Sequence, residues 1–322
     1  MNAETKVAQL ANQVNLKGRD FLCLADFTAE ELTYLLDLAA EIKGMQKEGI
    51  AYQPLKGKTL GMIFEKASTR TRVSFEVGIY QLGGQGMFFS SRDMQIGRGE
   101  PIEDTAQVLA RYLDGIMIRT FEHEKVEKLA KYSSIPVING LTDKFHPCQI
   151  MADFQTIIEQ KGHLKGLKLA YVGDGNNMAH SLLNGCTKLG MNVAIASPEG
   201  YMPAEDVVAM AKGFAEISGS KVTITDNPIE AVADADIIYT DVWASMGQED
   251  EQEARVKVFA PYQVNEELVK YADDEFIFMH CLPAHRGEEV SAGVIDGKHS
   301  VIFDEAENRL HAQKAIMAAI MA

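Results

Sequence analysis

Short apolar runs with strand character alternate with amphipathic helix patterns along nearly the whole chain. The first clear pair is the run 59–64 and a helix pattern over 70–82. The last pair is a strand predicted at 300–303 and a helix predicted at 304–321. Strands joined through helices form parallel sheets, because parallel neighbours need a long crossover connection. A chain of 322 residues is long enough for two domains. The alternation therefore predicts an α/β fold of two parallel-sheet α/β domains with an interdomain cleft.

The two domains are predicted to be linked by a helix at 148–161. This places the first domain at 1–148 and the second at 149–304. The C-terminal helix, about 305–322, is predicted to pack back onto the first domain. A further helix is predicted in the second domain at 265–271.

The chain is acidic, with 31 basic and 46 acidic residues and a formal net charge of −15. That balance disfavours nucleic acid and anionic membrane surfaces as partners. No apolar run approaches the ~20 residues that span a bilayer, and the first residues do not resemble an export signal. The four cysteines do not resemble a disulfide framework. The sequence therefore predicts a cytoplasmic protein with reduced thiols.

One basic, hydroxyl-rich stretch directly follows the first strand pattern. Ser-Thr-Arg-Thr-Arg occupies 68–72, before a helix whose apolar face carries Val73, Val77 and Tyr80. Ser68 is a good N-cap, and the free amides of a helix start suit an anion. Two guanidiniums add a group that can grip phosphate bidentately. The stretch predicts an anion site; the alternative is a capped helix start with surface arginines.

Other polar groups also fall at predicted strand ends and helix starts. Arg119 ends a strand, where α/β sheets present ligand groups, although a solvated strand end is the alternative. His146 and Gln149 lie at a helix start. His146 and Cys148 could be read as two metal ligands, but a second well-spaced pair is missing. The polar segment 90–101 is predicted as a long loop; it is either functional or a disordered surface loop.

Gly173-x-Gly175 after a strand gives a weak dinucleotide-binding signal. The third glycine position is Met178, and the acidic residue expected after the next strand is replaced by Ser197-Pro198. A tight turn is the simpler interpretation. Amide, carboxylate and thiol groups elsewhere in the second half suit an ammonium-bearing ligand. Together with the anion site, they indicate group transfer from a phosphorylated donor to a small amine.

Four motifs together resemble those of the carbamoyltransferases, and most nearly the ornithine branch of that family. They are Ser-Thr-Arg-Thr-Arg at 68–72, His-Pro-Cys-Gln at 146–149, Asp-x-x-x-Ser-Met-Gly at 241–247 and His-Cys-Leu-Pro at 280–283. They occur in the family's order, and the resemblance covers nearly the whole chain from about residue 20. The first motif is shared with the aspartate branch, whereas the last two, with Glu65-Lys66, point to the ornithine branch.

The resemblance implies a transferase that moves the carbamoyl group of carbamoyl phosphate to the δ-amine of L-ornithine. The products would be L-citrulline and phosphate, in arginine metabolism, and the direction, biosynthetic or catabolic, stays open at this point. The resemblance also implies no metal and no organic cofactor. The expected partners are the two small substrates and further copies of the chain, in a homotrimer or a larger assembly of trimers with active sites at subunit interfaces.

The same resemblance assigns the site residues. Those expected to bind carbamoyl phosphate are Ser68, Thr69, Arg70, Thr71, Gln95, Arg119, His146, Gln149, Cys281, Leu282 and Arg309. Gln95 would reach the site of a neighbouring subunit. Those expected to bind ornithine are Asn177, Asp241, Ser245 and Met246. The expected catalytic residues are Arg119, His146, Asp241 and Cys281. The loop that contains Ser245 and Met246 is predicted to be a lid; an acidic surface loop is the alternative.

The amine must be neutral to attack, and a free alkyl amine has a pKa near ~10.4. Asp241 and Cys281 are the candidate proton acceptors. Asp241 could instead orient the α-ammonium of ornithine, and Cys281 could be an inert buried thiol. Arg119, His146 and Thr71 are expected to stabilise the tetrahedral oxyanion.

Two other classes of function remain open at this point. One is a relative that acts on putrescine or N-acetylornithine, which the Ser-Met-Gly motif disfavours. The other is a non-catalytic binding protein on the same fold, which the intact Arg70, His146 and Cys281 disfavour. A nicotinamide dehydrogenase is a more distant alternative.

Overall fold

The computed structural model describes residues 14–244 and 249–322. Within it the chain forms two compact units. Unit 1 contains the chain up to Gln155 together with Glu307–Ala322, and unit 2 contains Thr156–Ala306. The chain therefore leaves unit 1 once and returns to it near the C-terminus.

Unit 1 is built on a four-stranded parallel sheet. Its strands are β1 (Thr59–Phe64), β2 (Gln85–Ser90), β3 (Gly115–Arg119) and β4 (Val137–Leu141), in the order β2-β1-β3-β4. Its helices are α1 (Ala29–Lys47), α2 (Thr69–Gln81), α3 (Ile102–Leu109), α4 (His123–Tyr132) and the first part of α5 (Pro147–Lys161). Short 3-10 turns lie at Leu24–Asp26 and Gln95–Arg98.

Unit 2 is built on a five-stranded parallel sheet. Its strands are β5 (Lys168–Val172), β6 (Asn192–Ala196), β7 (Val222–Thr225), β8 (Ile237–Thr240) and β9 (Ile277–His280), in the order β7-β6-β5-β8-β9. The helices after α5 are α6 (Asn177–Lys188), α7 (Glu205–Ser218), α8 (Pro228–Val232), α9 (Gln252–Phe259), α10 (Ala292–Ile295) and α11 (Ile302–Met321). Further 3-10 turns lie at Glu249–Glu251, Ala260–Tyr262 and Leu268–Tyr271. No helix in the described part of the chain has the length and apolar character needed to cross a bilayer.

Local sequence explains where the first helices begin. Thr28 caps α1 through a reciprocal capping box with Glu31, and each residue bonds the backbone of the other. Ser68 caps α2 in the same position, with its hydroxyl accepting the amide of Thr71. On α2 the buried apolar side chains are Phe75 and Ile79. The face predicted from Val73, Val77 and Tyr80 lies outward, because all three side chains are exposed.

Each sheet has one point at which the strand order reverses. In unit 1 the reversal lies between β1 and β3, where Phe64 pairs with Arg119 at the carboxyl ends. In unit 2 it lies between β5 and β8, which are followed by Gly173 and Asp241. Open α/β sheets bind ligands at such points, because connections leave in opposite directions and open a crevice there. The topology therefore marks one candidate ligand position in each unit.

The core of each unit consists of apolar strand faces packed against helices. In unit 1, Ile63, Ile116 and Ile118 of the sheet pack with Val126 and Leu129 of α4. In unit 2 the cluster is larger, and its fully buried members include Val172, Ala196, Ile238 and Phe278 of the strands, Phe259 of α9, and Val264 and Val290 of loops. Fully burying one such side chain contributes roughly 1.5–3 kcal/mol. These cores hold the carboxyl ends of the strands in fixed positions.

The predicted fold class of two parallel-sheet α/β domains is confirmed, but two element predictions were wrong. No strand forms at 300–303: Ser300 makes one isolated bridge to Phe278, and α11 begins at Ile302. A short apolar run has the same pattern in a strand and at a helix start. The helix predicted at 265–271 is only the turn Leu268–Tyr271. The Asn265 side chain accepts the amides of Glu267 and Leu268, which favours a turn.

Two helices of unit 2 were not predicted. The sequence before and within α9 is strongly polar, and only Arg255 and Phe259 of that helix are buried. An amphipathic pattern is therefore nearly absent. α10 has four residues, which is too short to show a period. The long loop 90–101 is also partly ordered, because it contains the 3-10 turn at Gln95–Arg98.

The Gly173-x-Gly175 turn is filled by the chain's own backbone. The amide of Gly175 donates to the carbonyl of Tyr201 at 2.8 Å. A Cβ added at Gly175 would collide with the backbone of Met202 and Pro203. A glycine is therefore required at position 175, because the segment after β6 passes too close to leave room for a side chain. This agrees with the interpretation of Gly173-x-Gly175 as a tight turn.

Gly175→Ala should lower the free energy of unfolding by roughly 1–3 kcal/mol, because backbone atoms must move to admit the methyl group. Urea unfolding of the variant and the parent measures the difference. Gly213→Ala is the matched control: Gly213 lies on α7 with open space around its Cβ position. The control should be neutral or stabilised by up to about 1 kcal/mol. Equal stability of the Gly175 variant and the parent would contradict the packing argument.

Candidate active site

The N-terminus of α2 forms the first part of the site in unit 1. The Ser68 hydroxyl accepts the amide of Thr71 at 3.2 Å and lies 3.1 Å from its hydroxyl. Thr69 is exposed and Arg70 is half-buried. The free amides and the helix dipole make this start favourable for an anion.

The second arginine of the motif points elsewhere. Arg72 is exposed and pairs with Glu76 at 3.3 Å, one helical turn along α2. Its guanidinium also lies 3.8 Å from the ring centroid of Phe88. Glu76 at i+4 was the sequence signal for this arrangement. In the structure Arg72 therefore does not add its charge to the helix start.

The cationic side chain brought to the helix start is that of Arg309, from α11. It is 3% exposed. Its two terminal nitrogens form a fork: one donates to Gln149 Oε1 at 2.6 Å and the other to Thr71 Oγ1 at 3.2 Å. Gln149 Nε2 donates in turn to Asp153 Oδ1 at 2.8 Å, which fixes the orientation of the amide. One guanidinium therefore ties α11 to α2 and α5.

Arg119 and His146 complete a buried polar group at the same edge. Both are at least nine-tenths buried, Arg119 at the end of β3 and His146 just before α5. Burial, followed by the charges of Arg309, Arg119 and Arg70, holds the pKa of His146 well below its ordinary value near 6.5. The imidazole is therefore neutral at pH 7. Its surroundings are strongly positive, so the cluster can hold an oxyanion or a polarised carbonyl.

Cys148, the next residue but one, is a buried thiol. Its sulfur donates to the carbonyl of Asn139 at 3.4 Å. Burial raises the pKa of Cys148 to about 12. A metal ligand must be a thiolate, so the protonated thiol disfavours the His146–Cys148 metal interpretation.

In unit 2 the central residue is Asp241, directly after β8. It is 7% exposed and accepts three hydrogen bonds. The donors are the amide of Val242 at 2.8 Å, the Cys281 thiol at 3.1 Å and the Asn176 side chain at 3.4 Å. An ordered carboxylate of this kind suits an ammonium group.

Cys281 reaches Asp241 because β8 and β9 are neighbours. Thr240 pairs with His280 at the carboxyl ends, so the residues that follow each strand lie side by side. Leu282 comes next, with a left-handed backbone (φ 57°). Cys281 and Leu282 are both half-buried.

The remaining predicted residues are placed as follows. Asn177 is the first residue of α6 and is half-buried. Gln95 is exposed on the 3-10 turn of the long loop. Ser245 and Met246 lie outside the described residues. In unit 1 the structure thus brings together Ser68, Thr71, Arg119, His146, Gln149 and Arg309. In unit 2 it brings together Asp241 and Cys281.

Sequence reasoning missed three residues of unit 2: Asn176, Arg255 and Glu289. Asn176 caps α6 and contacts Asp241, one position before the residue that was predicted; its N-cap position was the available signal. Arg255 donates to Asp174 Oδ2 at 2.8 Å across 81 residues. Glu289 contacts His280 from a loop. No sequence signal predicted the contacts of Arg255 and Glu289.

Within residues 14–244 and 249–322, two groups of side chains have ligand-type atoms within 4.8 Å of one another. They are Asp241, His280 and Cys281, and His285, Glu288 and Glu289. In the first group the thiol already donates to Asp241, and both nitrogens of His280 have hydrogen-bond partners. A metal there would have to displace these bonds.

Comparison with known proteins identifies the class. The model of the carbamoyl-phosphate binding domain of aspartate/ornithine carbamoyltransferases matches residues 19–159, and that of the Asp/Orn binding domain matches residues 165–320. The chain therefore belongs to the aspartate/ornithine carbamoyltransferase family, which confirms the resemblance seen in the motifs.

Individual relatives point to one branch of this family. An ornithine carbamoyltransferase from Oceanobacillus iheyensis is 64% identical over 310 residues, covering 96% of each chain. An anabolic ornithine carbamoyltransferase from Pyrococcus furiosus is 57% identical over 308 residues, covering 96% of this chain and 98% of that one. A solved ornithine carbamoyltransferase structure, also from Pyrococcus furiosus, superposes with a TM-score of 0.93 at 57% identity, again covering 96% and 98%.

The neutral state of His146 predicts how stability depends on pH. The pKa of His146 is depressed in the folded state. Below about pH 6.5 this imidazole is therefore protonated in the unfolded chain but stays neutral in the folded chain. The free energy of unfolding should therefore fall as pH drops below 6.5, by up to about 1.4 kcal/mol per pH unit from this group. Urea unfolding of the parent and of His146→Gln at several pH values measures this contribution.

His146→Gln should show a shallower loss of stability in acid than the parent. Burial also lowers the pKa of His123 to about 4, so part of the slope remains in both proteins. His163→Gln is the control, because His163 is an exposed histidine of unit 2. Its curve should parallel that of the parent, and a parallel curve for His146→Gln would count against the neutral imidazole.

Proposed function

We propose that the chain transfers the carbamoyl group of carbamoyl phosphate to the δ-amine of L-ornithine, giving L-citrulline and phosphate. The observation that carries this proposal is the buried cationic cluster around a neutral His146 at the switch point of unit 1. The ordered carboxylate and thiol at the switch point of unit 2 supply the second half of the chemistry. Unit 1, including Glu307–Ala322, is thus the proposed carbamoyl phosphate-binding domain, and unit 2 is the proposed ornithine-binding domain.

The phosphate is proposed to sit at the N-terminus of α2. Ser68, Thr69, Arg70 and Thr71 present amides, hydroxyls and one guanidinium there. The fork of Arg309 on Thr71 and Gln149 adds a second positive charge to the same edge. This arrangement suits a dianion, because charge-assisted bonds to phosphate are about twice as strong as neutral ones.

The carbamoyl end is proposed to lie against Arg119 and His146. Both groups are donors in a buried, low-dielectric setting, where fixed dipoles act strongly on developing charge. The carbonyl oxygen of carbamoyl phosphate would gain negative charge as the amine attacks. Losing one such donor typically costs roughly 10²–10³ in rate.

Ornithine is proposed to be held by Asp241 through its α-ammonium, with Asn177, Ser245 and Met246 as further contacts from the resemblance. Asp241 is well suited to this role because three donors fix its orientation. Cys281 and Leu282 are proposed to complete the carbamoyl phosphate pocket. The exposed Gln95 is proposed to act in the site of a neighbouring copy.

The reaction then requires one bond to form and one to break. The lone pair of the neutral δ-amine attacks the carbamoyl carbon, and the tetrahedral oxyanion is stabilised by Arg119 and His146. The carbon–oxygen bond to phosphate breaks, and the phosphate keeps that electron pair. The proton lost by the amine nitrogen balances the leaving group, so the products are citrulline and hydrogen phosphate. No cofactor enters this balance.

Citrulline-type product formation from carbamoyl phosphate tests the proposal, with ornithine, putrescine, N-acetylornithine and aspartate compared side by side. Turnover with ornithine, and little with the others, is expected. N-acetylornithine lacks the free α-ammonium that Asp241 would bind, putrescine lacks the α-carboxyl group of an amino acid, and aspartate has no δ-amine to attack. Preference for another amine would be consistent with the proposed phosphate site but would contradict the assignment of ornithine as the substrate. No turnover with any amine would remove the proposed function.

The same assay with Asp241→Asn tests the ornithine half of the site. Loss of the charge should raise the KM for ornithine roughly 10- to 100-fold, since a hydrogen bond to a charged group contributes about 1.5–3 kcal/mol. Inhibition by inorganic phosphate should be unchanged. Asp236→Asn is the matched control: Asp236 precedes β8 at the opposite end and accepts the amide of Lys168 at 2.7 Å. An unchanged KM in Asp241→Asn would contradict the role of Asp241.

A trimer is proposed as the assembly, as the resemblance implies, and an apolar surface of unit 1 supports it. Val73, Val77 and Tyr80 of α2 are exposed beside the edge strand β2, whose Met87 and Phe88 are exposed too. Natural proteins seldom leave an edge strand and an apolar patch uncovered. A second copy of the chain is the occupant we propose.

Light scattering should give the mass of three chains, or of a multiple of three. Tyr80→Glu should lower that mass, because the charge would be buried in the contact. Ile217→Glu is the control, since Ile217 is an equally exposed apolar residue on α7 of unit 2. A single-chain mass for the parent, or an unchanged mass for Tyr80→Glu, would contradict this contact.

We place the protein in the cytoplasm and its reaction in the biosynthetic direction. The four cysteines, all free thiols, support a reducing compartment. The anabolic relative supports the direction.

A further inference from the structure

A buried histidine holds the segment that carries Cys281. His280 ends β9, and its side chain is fully buried. Its backbone amide donates to Glu305 Oε2 at 2.9 Å. The hydroxyl of Tyr239 donates to the other oxygen of that carboxylate, also at 2.9 Å. These bonds fix the backbone position of His280 independently of the contacts that its ring makes.

The two ring nitrogens of His280 have different partners. Nδ1 lies 2.9 Å from the backbone nitrogen of Leu282. An amide N–H can only donate, so Nδ1 must be the acceptor. Nε2 lies 3.1 Å from Glu289 Oε1, which can accept its proton. The two bonds together select the neutral tautomer with the proton on Nε2.

The bond to Leu282 compensates for an unfavourable backbone. Leu282 has φ 57°, in the left-handed region, and that conformation costs a non-glycine residue roughly 1–2 kcal/mol. Cys281 lies between the two bonded residues. Holding Leu282 on the ring of His280 therefore also holds the Cys281 thiol, which donates to Asp241 at 3.1 Å.

Glu289 supports both ends of this segment. Besides His280 Nε2, its Oε1 accepts the amide of His285 at 2.6 Å. Glu289 is fully buried, and among the described residues its second oxygen has no hydrogen-bond partner. A half-satisfied buried carboxylate lowers stability. Its other oxygen holds both His280 and His285, so Glu289 constrains the segment from Cys281 to His285 at its two ends.

We propose that His280 and Glu289 are positioning residues for the carbamoyl transfer. Glu289 selects the ring tautomer, Nδ1 of His280 holds the Leu282 amide, and that bond sets the Cys281 thiol against Asp241. Neither residue needs to touch substrate. This inference rests on the proposed function, because the position of Cys281 matters for activity only if Cys281 takes part in the carbamoyl transfer.

Two substitutions at one position separate the two bonds. In His280→Asn the side-chain oxygen can replace Nδ1 and accept the Leu282 amide, but the bond to Glu289 is lost. In His280→Gln the amide nitrogen can replace Nε2 and reach Glu289, but Leu282 loses its acceptor. His280→Gln should lose roughly 10² in kcat, the cost of a misplacement of about 1 Å. His280→Asn should keep at least about tenfold more activity than His280→Gln.

Three readouts distinguish positioning from general damage. Inhibition by inorganic phosphate, which reports on unit 1, should be the same in both variants and the parent. His299→Gln is the matched control: this half-buried histidine of unit 2 lies outside the segment 280–289, with Nδ1 2.8 Å from the carbonyl of Phe276. Its kcat should be unchanged. In the parent, ¹⁵N NMR of the histidine rings should show His280 with its proton on Nε2.

Equal kcat values for the two His280 variants, or a higher value for His280→Gln, would overturn the inference. If neither variant folds, the NMR measurement decides: a proton on Nδ1 of the parent would overturn it, and a proton on Nε2 would support it. An inactive parent would instead remove the proposed function, so the two failures can be told apart.

Discussion

Parallel strand pairing is the constraint on which both candidate sites depend. Because every strand of a parallel sheet ends at the same edge, residues that follow different strands become neighbours without being close in sequence. In unit 1 this rule aligns Arg119 with the end of β1. In unit 2 it places Cys281 beside Asp241. The polar groups of each candidate site are thus those that end or directly follow the strands near the point where the strand order reverses.

The cationic cluster of unit 1 is costly for the free protein. Arg119 and Arg309 are almost fully buried, and the imidazole between these charges is kept neutral by burial and by their fields. Taking charged groups out of water carries a desolvation cost of several kcal/mol per ion. An anion that binds only the folded chain offsets this cost in proportion to its concentration. If an anion binds at this proposed site, its binding is linked to folding stability through the same few side chains.

The sequence was sufficient to predict the fold class and the capped helix start at Ser68. Alternating patterns gave the parallel sheets, and the N-cap Ser68 gave the helix start. It was insufficient where a contact joins distant segments. The fork of Arg309 and the pair of His280 with Glu289 depend on tertiary packing that has no local signal. Glu76, at i+4 from Arg72, was a signal that Arg72 points outward along the helix. The sequence analysis instead counted the charge of Arg72 as part of the anion motif. The strand predicted at 300–303 failed because short apolar runs do not distinguish a strand from the first turn of a helix.

The fork of Arg309 also has a consequence for the time at which the site comes into existence. Thr71 and Arg309 are separated by 238 positions. At the usual ~5–20 residues per second of protein synthesis, roughly 10–50 s pass between their appearance. During that interval the start of α2 can form, but it lacks one of its two nearby guanidiniums. The contacts of Arg309 with Thr71 and Gln149 therefore cannot form in a nascent chain until α11 has been made, so they cannot guide the early steps of its folding.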